Sequence, residues 1–159
     1  RSDMSTSMKK ELWDHIDDTR IGMLATDTAR AIPMSHYADH DANCLWFITA
    51  RDTDLAKSAQ TGAAAEYLVT SKDEHLYARI DGTVQAVTDP AKLDDLWNAF
   101  AAAWFKDGRK DEDVQLVRMD LKQAEVWLTG GSLSFLYEIA KANVTKQVAD
   151  AGEHGTIRF

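Results

Sequence analysis

The longest regular pattern in the chain alternates apolar and polar residues from Leu76 to Ala86. The apolar side chains stand at even positions and the polar ones at odd positions. A period of two over this length predicts a β-strand with one buried face. Gly82 interrupts the apolar face, and we expect a bulge or a sharp bend there.

Shorter runs of similar composition predict further strands on either side. They are Arg20–Thr26, Ala31–Tyr37, Cys44–Thr49, Ala63–Thr70, Val114–Met119 and Ala124–Leu128, with the last two forming an antiparallel pair. Because short polar turns separate most of these runs, the sheet is expected to be mostly antiparallel. Pro33 cannot donate to a ladder, which predicts an edge, a bulge or a place where the backbone turns toward a ligand. A small closed barrel with helices over its openings would leave the fewest unpaired edges.

Apolar residues at helical spacing predict four helices around this sheet. They are Ser7–Asp17, Leu55–Gln60, Pro90–Ala103 and Leu133–Val148. The second helix can be capped by Asp52 or Thr53, and the third by Asp89 directly before its proline. The result is a mostly β protein with flanking helices.

The length and composition of the chain indicate a single domain over residues 1–159. The net charge of −8 and the pI of about 5.0 argue against nucleic acid and anionic membrane as partners. Cys44 is the only cysteine, and it lies in an apolar run, which predicts an inert buried thiol and a reducing compartment. No apolar run approaches the ~20 residues of a membrane span, and no signal peptide is visible, so we expect a cytoplasmic location.

A candidate anion site lies between Ala31 and Lys57. A strand ends on Thr49 and Arg51 and leads into a capped helix that carries Lys57. Free backbone N–H groups at a helix start attract anions, and these three side chains add donors. The same pattern occurs in many domains without a ligand, so it leaves both interpretations open.

Two further features bear on chemistry. His36 and His40 are four residues apart, which brings two imidazoles together only on a helix. Since this segment follows a proline and runs into a turn, we expect no metal site. The chain also lacks a nucleophile elbow, a P-loop and a dinucleotide-binding glycine pattern. No catalytic residue is therefore assigned.

Trp104 and Phe105 open a charged loop, where large rings are harder to explain as core. They could stack on a planar ligand, or they could belong to a subunit interface, where tryptophan is also common. Both interpretations hold if a ligand lies at a dimer seam.

The order of several segments resembles the bacterial general stress proteins of the pyridoxamine 5'-phosphate oxidase-like superfamily. The segments are Ile32-Pro33-Met34-Ser35, Leu45-Trp46-Phe47-Ile48-Thr49, Arg79-Ile80-Asp81-Gly82-Thr83-Val84 with Asp89, Leu96-Trp97, Trp104-Phe105 with Gly108 and Asp111, and Ala124-Glu125-Val126-Trp127. The resemblance covers about Met8 to Val148, and the tail SLSFLYEIAKANVT is similar to the last segment of that family.

This resemblance implies an antiparallel split β-barrel of the FMN-binding type and a homodimer with FMN at the subunit interface. It also implies an FMN-binding general stress protein with a possible oxidoreductase activity on an unknown small molecule. The implied FMN contacts are Pro33, Met34, Ser35, Ile48, Thr49, Arg51, Lys57, Trp104 and Phe105, with the two aromatic residues supplied by the other subunit.

The chain departs from the family pattern at three positions. Ile32 stands where arginine is usual, Leu55 where a phosphate-binding lysine is usual, and Lys106 where proline is frequent. The first two departures favour an alternative function, a non-catalytic dimeric module that binds another planar anionic ligand or has lost the FMN site.

Overall fold

The computed structural model describes residues 2–129 and 153–159. The helix predicted over Leu133–Val148 lies outside the described residues. Within them, eight strands form one antiparallel sheet with the order β2-β1-β5-β6-β7-β4-β3, and β8 pairs with β7. The strands are β1 Ile21–Thr26, β2 Ile32–Ser35, β3 Tyr37–Asp39, β4 Cys44–Ala50, β5 Ala63–Thr70, β6 Leu76–Val87, β7 Val114–Leu128 and β8 Glu153–Arg158.

The predicted mostly antiparallel β architecture is confirmed, but the expected closed ladder is not seen among the described residues. The two ends of the sheet, β2 and β3, are consecutive strands joined through His36. β2 pairs with β1, whereas β3 pairs with β4. The predicted single strand Ala31–Tyr37 is therefore wrong, because its two halves belong to opposite ends of a half-barrel.

The predicted pair Val114–Met119 and Ala124–Leu128 is also wrong, because both segments belong to the single strand β7. The polar residues between them resemble a turn in sequence, but they continue the ladder with β6. The register between β6 and β7 shifts at Asp81 and Gly82. Asp81 pairs with Gln123 and Gly82 pairs with Leu121, so Lys122 of β7 is the extra residue of a bulge. The irregularity predicted at Gly82 is confirmed, whereas the continuity of the partner strand β7 was not predicted.

In the described part of the chain, four α-helices lie beside the sheet: α1 Ser2–Asp18, α2 Asp54–Thr61, α3 Pro90–Leu96 and α4 Ala99–Ala102. α1 begins five residues before the predicted start at Ser7. The predicted helix Pro90–Ala103 is interrupted, because Trp97 has extended backbone angles and ends α3. The caps follow the sequence, since Thr53 accepts from the Ala56 amide and Asp89 accepts from the Lys92 amide.

The core lies between one face of the sheet and the helices α1 and α2. From α1 it takes Met8, Leu12, Trp13 and Ile16, and from α2 it takes Leu55 and Ala59. Tyr67 and Phe47 are fully buried within it. Cys44 is buried as predicted, and burial raises the pKa of its thiol to about 11, which leaves it an unreactive group at neutral pH.

Candidate functional site

A pocket of about 470 Å³ opens between β2, β4 and the segment that follows α4. We call it the Trp104 pocket. Its lining consists of Ile21, Pro33, Met34, Ser35, Tyr37, Ile48, Thr49, Ala50, Thr53, Ala101, Trp104 and Phe105. The described lining is mostly apolar, and its polar side chains are hydroxyls.

β2 supplies one wall of the Trp104 pocket. Pro33 is exposed on the outward face of this strand, while Ile32 before it packs on the core. Ser35 ends the strand, and its hydroxyl donates to the carbonyl oxygen of Arg20 at 3.1 Å. Because β2 is an edge strand, Pro33 breaks no ladder that the fold requires, as the sequence predicted.

The end of β4 and the start of α2 form the floor. The hydroxyls of Thr49 and Thr53 lie 3.2 Å apart. Thr53 also donates to the carbonyl of Ala50 at 2.8 Å and caps α2. The positive end of the α2 dipole therefore meets the pocket at a hydroxyl-lined corner.

Two aromatic rings close the opposite side. Phe105 packs against Trp97, with ring centroids 5.8 Å apart. Trp104 keeps 74% of its surface exposed, which is unusual for a tryptophan side chain. The resemblance assigned these rings to the neighbouring subunit, but in the single chain they lie over the pocket of their own chain.

The structure brings seven of the nine sequence-predicted residues into this one pocket: Pro33, Met34, Ser35, Ile48, Thr49, Trp104 and Phe105. Arg51 and Lys57 do not line it. The Nε group of Arg51 donates to the carbonyl of Val114 at 3.4 Å, and Lys57 is exposed on α2. Among the described lining residues, none carries a charge.

Two of the three positions that depart from the family pattern, Ile32 and Leu55, contribute to the core. Leu55 is 1% exposed and belongs to the main apolar cluster. Ile32 packs against the same cluster. Both side chains are therefore used in apolar packing.

Sequence reasoning missed several lining residues, notably Tyr37, Thr53 as a wall residue, and Ile21. Tyr37 accepts a hydrogen bond from the amide of Asn98 at 3.3 Å, which connects β3 to the turn between α3 and α4. Tyr37 lies two residues after Ser35, and the alternation of the predicted strand Ala31–Tyr37 would place both side chains on one face.

A pair of buried polar side chains lies behind the β2 wall. The Nδ1 atom of His36 is 2.5 Å from the Tyr67 hydroxyl, and that hydroxyl is 3.0 Å from the carbonyl oxygen of Met34. Burial lowers the pKa of His36 and raises the pKa of Tyr67, so both are uncharged at neutral pH.

His36 and His40 are engaged separately. His36 Nε2 lies 2.9 Å from the carbonyl of Ile16, and His40 Nε2 lies 3.0 Å from Asp17. Across residues 2–129 and 153–159, no group of three or more His, Cys, Asp or Glu side chains is arranged to hold a metal ion. Within those same ranges, no helix is both long and apolar enough to cross a membrane.

The family model described as "Pyridoxamine 5'-phosphate oxidase like" matches residues 7–150. No curated protein matches the chain.

Among solved structures, a candidate general stress protein 26 from Jannaschia sp. CCS1 is 42% identical, with a TM-score of 0.80 over 98% of this chain and 99% of that one. A candidate general stress family protein from Xanthomonas campestris pv. campestris is 32% identical, with a TM-score of 0.72 over 80% of this chain and 90% of that one. The general stress FMN/FAD binding protein from Xanthomonas citri is 32% identical, with a TM-score of 0.70 over 77% of this chain and 89% of that one. These similarities confirm the predicted split-barrel fold.

Proposed function

Since the chain belongs to the pyridoxamine 5'-phosphate oxidase-like family and to its general stress proteins, we propose that it binds FMN in the Trp104 pocket. One observation carries the proposal. Residues far apart in sequence, from Pro33 to Phe105, meet at one apolar pocket that contains an exposed tryptophan.

The ring end of FMN fits the residues that are present. Trp104, Phe105 and Ile48 offer flat or smooth apolar surface for an isoalloxazine ring. Hydroxyls of Ser35, Tyr37 and Thr49 add a few polar groups that can fix its orientation. The volume of about 470 Å³ lies in the usual range for a small-molecule site.

The pocket offers fewer binding groups to the phosphate end of FMN than to its ring. Thr49 and the start of α2 offer donors, and the two predicted cations, Arg51 and Lys57, both lie outside the lining. Arg51 would have to leave the carbonyl of Val114 to reach a phosphate. Asp52 and Asp54 beside the same helix start offset part of the positive charge.

We further propose that the protein is an FMN-dependent oxidoreductase. Bound FMN would supply the hydride and electron chemistry, while the chain orients the ring and excludes water from it. The described lining offers hydroxyls and no carboxylate, histidine or lysine, so no side chain is assigned as general acid or base. A cytoplasmic location forms part of the proposal, supported by the single cysteine.

A homodimer completes the proposal. Ile21, Met23 and Leu68 are 49%, 39% and 42% exposed on the outward face of the sheet. The register sets Met23 beside Pro33 on one side and beside Leu68 on the other, which makes one continuous apolar surface. This surface runs into the Trp104 pocket through Ile21 and Pro33, so a second copy covering it would place the pocket at the seam.

The alternative function is a non-catalytic dimeric module for another planar anionic ligand. It is favoured by Ile32 and Leu55, which replace the usual cations and pack on the core. Under this alternative the aromatic wall is kept while FMN retention is lost.

The first experiment is an absorbance scan of the concentrated protein, before and after addition of FMN and removal of the excess. An absorbance band that corresponds to about one bound flavin per chain supports the proposal. A colourless protein that retains no added FMN contradicts it and favours the alternative.

The double variant Thr49→Val, Lys57→Ala then tests the phosphate end. It should release FMN, whereas Lys72→Ala, which changes an exposed lysine in the turn after β5, should not. Unchanged FMN binding in the double variant would contradict the assigned phosphate site while leaving the ring pocket standing.

A further inference from the structure

A smaller cavity adjoins the Trp104 pocket on the side of α1. It measures about 330 Å³, and we call it the Asn98 cavity. Ile21, Ser35 and Tyr37 line both the Asn98 cavity and the Trp104 pocket. A ligand that fills the Trp104 pocket therefore lies next to the Asn98 cavity.

A backbone group fixes the orientation of the Asn98 side chain. Its Oδ1 atom accepts from the amide of Ala101 at 2.9 Å. Because a backbone N–H only donates, the Asn98 atom that faces it is the amide oxygen and not the nitrogen. The nitrogen, Nδ2, therefore faces Tyr37, and it lies 3.3 Å from the hydroxyl oxygen. Since an amide nitrogen only donates, the hydroxyl oxygen of Tyr37 is the acceptor in this bond.

The proton of the Tyr37 hydroxyl is left without an acceptor. In the described part of the chain, the bond from Asn98 is the only hydrogen bond of the Tyr37 side chain. Tyr37 is half-buried and Asn98 is exposed, so this bond lies at the surface of the protein. A hydroxyl that accepts from an amide is also a better donor, because hydrogen bonds in a chain polarise one another. Tyr37 therefore offers one proton where the two cavities meet.

The other uncharged polar groups that line the Asn98 cavity are engaged or buried. The Ser35 hydroxyl donates to the carbonyl oxygen of Arg20 at 3.1 Å. Both ring nitrogens of His36 lie within hydrogen-bonding distance of a partner. The Thr19 hydroxyl has no partner among the described residues, but it is buried and out of reach of a ligand. The donor that remains for a ligand is the hydroxyl of Tyr37.

The charges in the lining of the Asn98 cavity favour a neutral ligand. The lining contains one acidic and one basic residue, Asp17 and Arg20, and both are exposed. Asp17 lies 3.0 Å from Nε2 of His40, which lies outside the lining. Burial lowers the pKa of His36, so this ring adds no charge at neutral pH. With one charge of each sign, the cavity attracts neither anions nor cations strongly.

We propose that the Asn98 cavity is a substrate subsite beside the Trp104 pocket, in which the Tyr37 hydroxyl donates a hydrogen bond to the carbonyl oxygen of a small neutral substrate. This inference rests on the proposed function, because the substrate would lie next to the flavin. A carbonyl oxygen accepts and never donates, so it matches the single proton that Tyr37 offers. Tyr37 is then a specificity-determining residue. Asn98 is a positioning residue that keeps the proton of Tyr37 directed at the ligand.

The test uses benzamide as a probe, because it carries a carbonyl oxygen on a small neutral ring. Benzoate and benzylamine are the charged compounds of similar shape. Ligand-observed NMR on the FMN-loaded protein measures the dissociation constant of each, which for compounds of this size should be in about the millimolar range. Benzamide should bind more tightly than either charged compound, and it should move the side-chain amide resonances of Asn98. Tighter binding of benzoate or benzylamine, or unmoved Asn98 resonances, would overturn the inference.

Two variants test the direction of the hydrogen bond. Tyr37→Phe removes the proton and keeps the ring, so the affinity for benzamide should fall about three- to tenfold. Asn98→Asp keeps an acceptor for the Ala101 amide but presents a second oxygen to Tyr37, which then donates to that carboxylate and not to the probe. The double variant should lose no more than either single variant, whereas independent effects would add. Tyr77→Phe removes a hydroxyl from a half-buried tyrosine outside both cavities and should keep the wild-type affinity.

Unchanged benzamide affinity in a folded Tyr37→Phe protein would overturn the inference, and so would additive losses in the double variant. An equal loss of FMN affinity in Tyr37→Phe would also overturn it, because the hydroxyl would then bind the flavin. If the protein retains no FMN, the proposed function fails. The same titrations on the ligand-free protein then still decide whether Tyr37 donates to the probe.

Discussion

The Trp104 pocket and a second cavity on the opposite part of the sheet have similar volumes and contrasting chemistry. The second cavity, here called the charged groove, measures about 500 Å³ and lies across β6, β7 and β8. It is lined by Arg79, Asp81, Gln123, Glu125, Thr156 and Arg158.

In the charged groove the polar groups bind one another. Glu125 accepts from Arg79 and lies 2.8 Å from His154 Nε2, while Gln123 donates to Asp81 at 3.4 Å and accepts from Arg158 at 3.3 Å. A ligand would have to displace these partners. The Trp104 pocket presents apolar surface and an exposed ring, so a planar ligand gains from burial there. Volume alone therefore does not identify a binding site.

The largest expected effect is a loss of stability caused by a substitution behind the β2 wall of the Trp104 pocket. Gly22→Ala places a methyl group against Tyr67 and the backbone of Leu68, and overpacking of this kind should lower the free energy of unfolding by about 3 kcal/mol. Urea unfolding measures it. Gly155→Ala is the control, because its added Cβ meets only the flexible end of Met8. An equal loss in both variants would contradict the close approach at Gly22.

The next largest effect is on FMN affinity, which should distinguish the Trp104 pocket from the charged groove. Trp104→Ala should weaken FMN binding about tenfold through the loss of aromatic contact, with little change in melting temperature because the side chain is exposed. His154→Ala removes a ring that stacks on Trp127 at 5.0 Å beside the charged groove, and FMN titration should not distinguish it from wild type. A reversed result would place the ligand in the groove.

A third prediction concerns pH and stability. The folded protein lowers the pKa of His36, so between that pKa and the ordinary value near 6.5 the unfolded chain binds more protons. The free energy of unfolding should fall as pH drops below about 6.5, by at most about 1.4 kcal/mol per pH unit for one proton. Denaturant unfolding of wild type and His36→Gln between about pH 7.5 and pH 5 measures it. A variant with the wild-type slope would exclude His36 as the source.

The smallest effect tests the charged groove itself. Glu125→Gln removes the charge that Arg79 and His154 share on the sheet surface. Ion pairs this exposed contribute little, so we expect a loss of less than about 1 kcal/mol and no change in FMN affinity. Thermal unfolding and FMN titration check the two parts, and a large loss of FMN binding would show that the cavities are coupled.

The part of the fold that depends on local pattern was predictable. The alternation over Leu76–Ala86 predicted β6, and the caps Thr53 and Asp89 predicted the starts of α2 and α3. Pro33 predicted an edge, and β2 is one. These features depend on the chemistry of a residue and its near neighbours, which is present in the sequence.

The sequence predicted which residues belong to the candidate site better than it predicted where their side chains lie. Resemblance named seven residues that meet in the Trp104 pocket, but it also named Arg51, which binds the carbonyl of Val114, and Lys57, which is exposed. Whether a long side chain turns toward a pocket depends on competing acceptors from distant strands. The sequence does not show those acceptors.

By itself, the sequence determined the class of the protein: an acidic, mostly antiparallel β domain with a proline edge, capped helices and a Trp-Phe pair. Only the tertiary structure decided that β7 is one strand, that the chain passes between the two ends of the sheet at His36, and that Tyr67 reaches the Met34 carbonyl beneath Gly22. The physical reason is that each of these depends on hydrogen bonds and steric contacts between strands distant along the chain, whereas hydrophobic periodicity and capping are local.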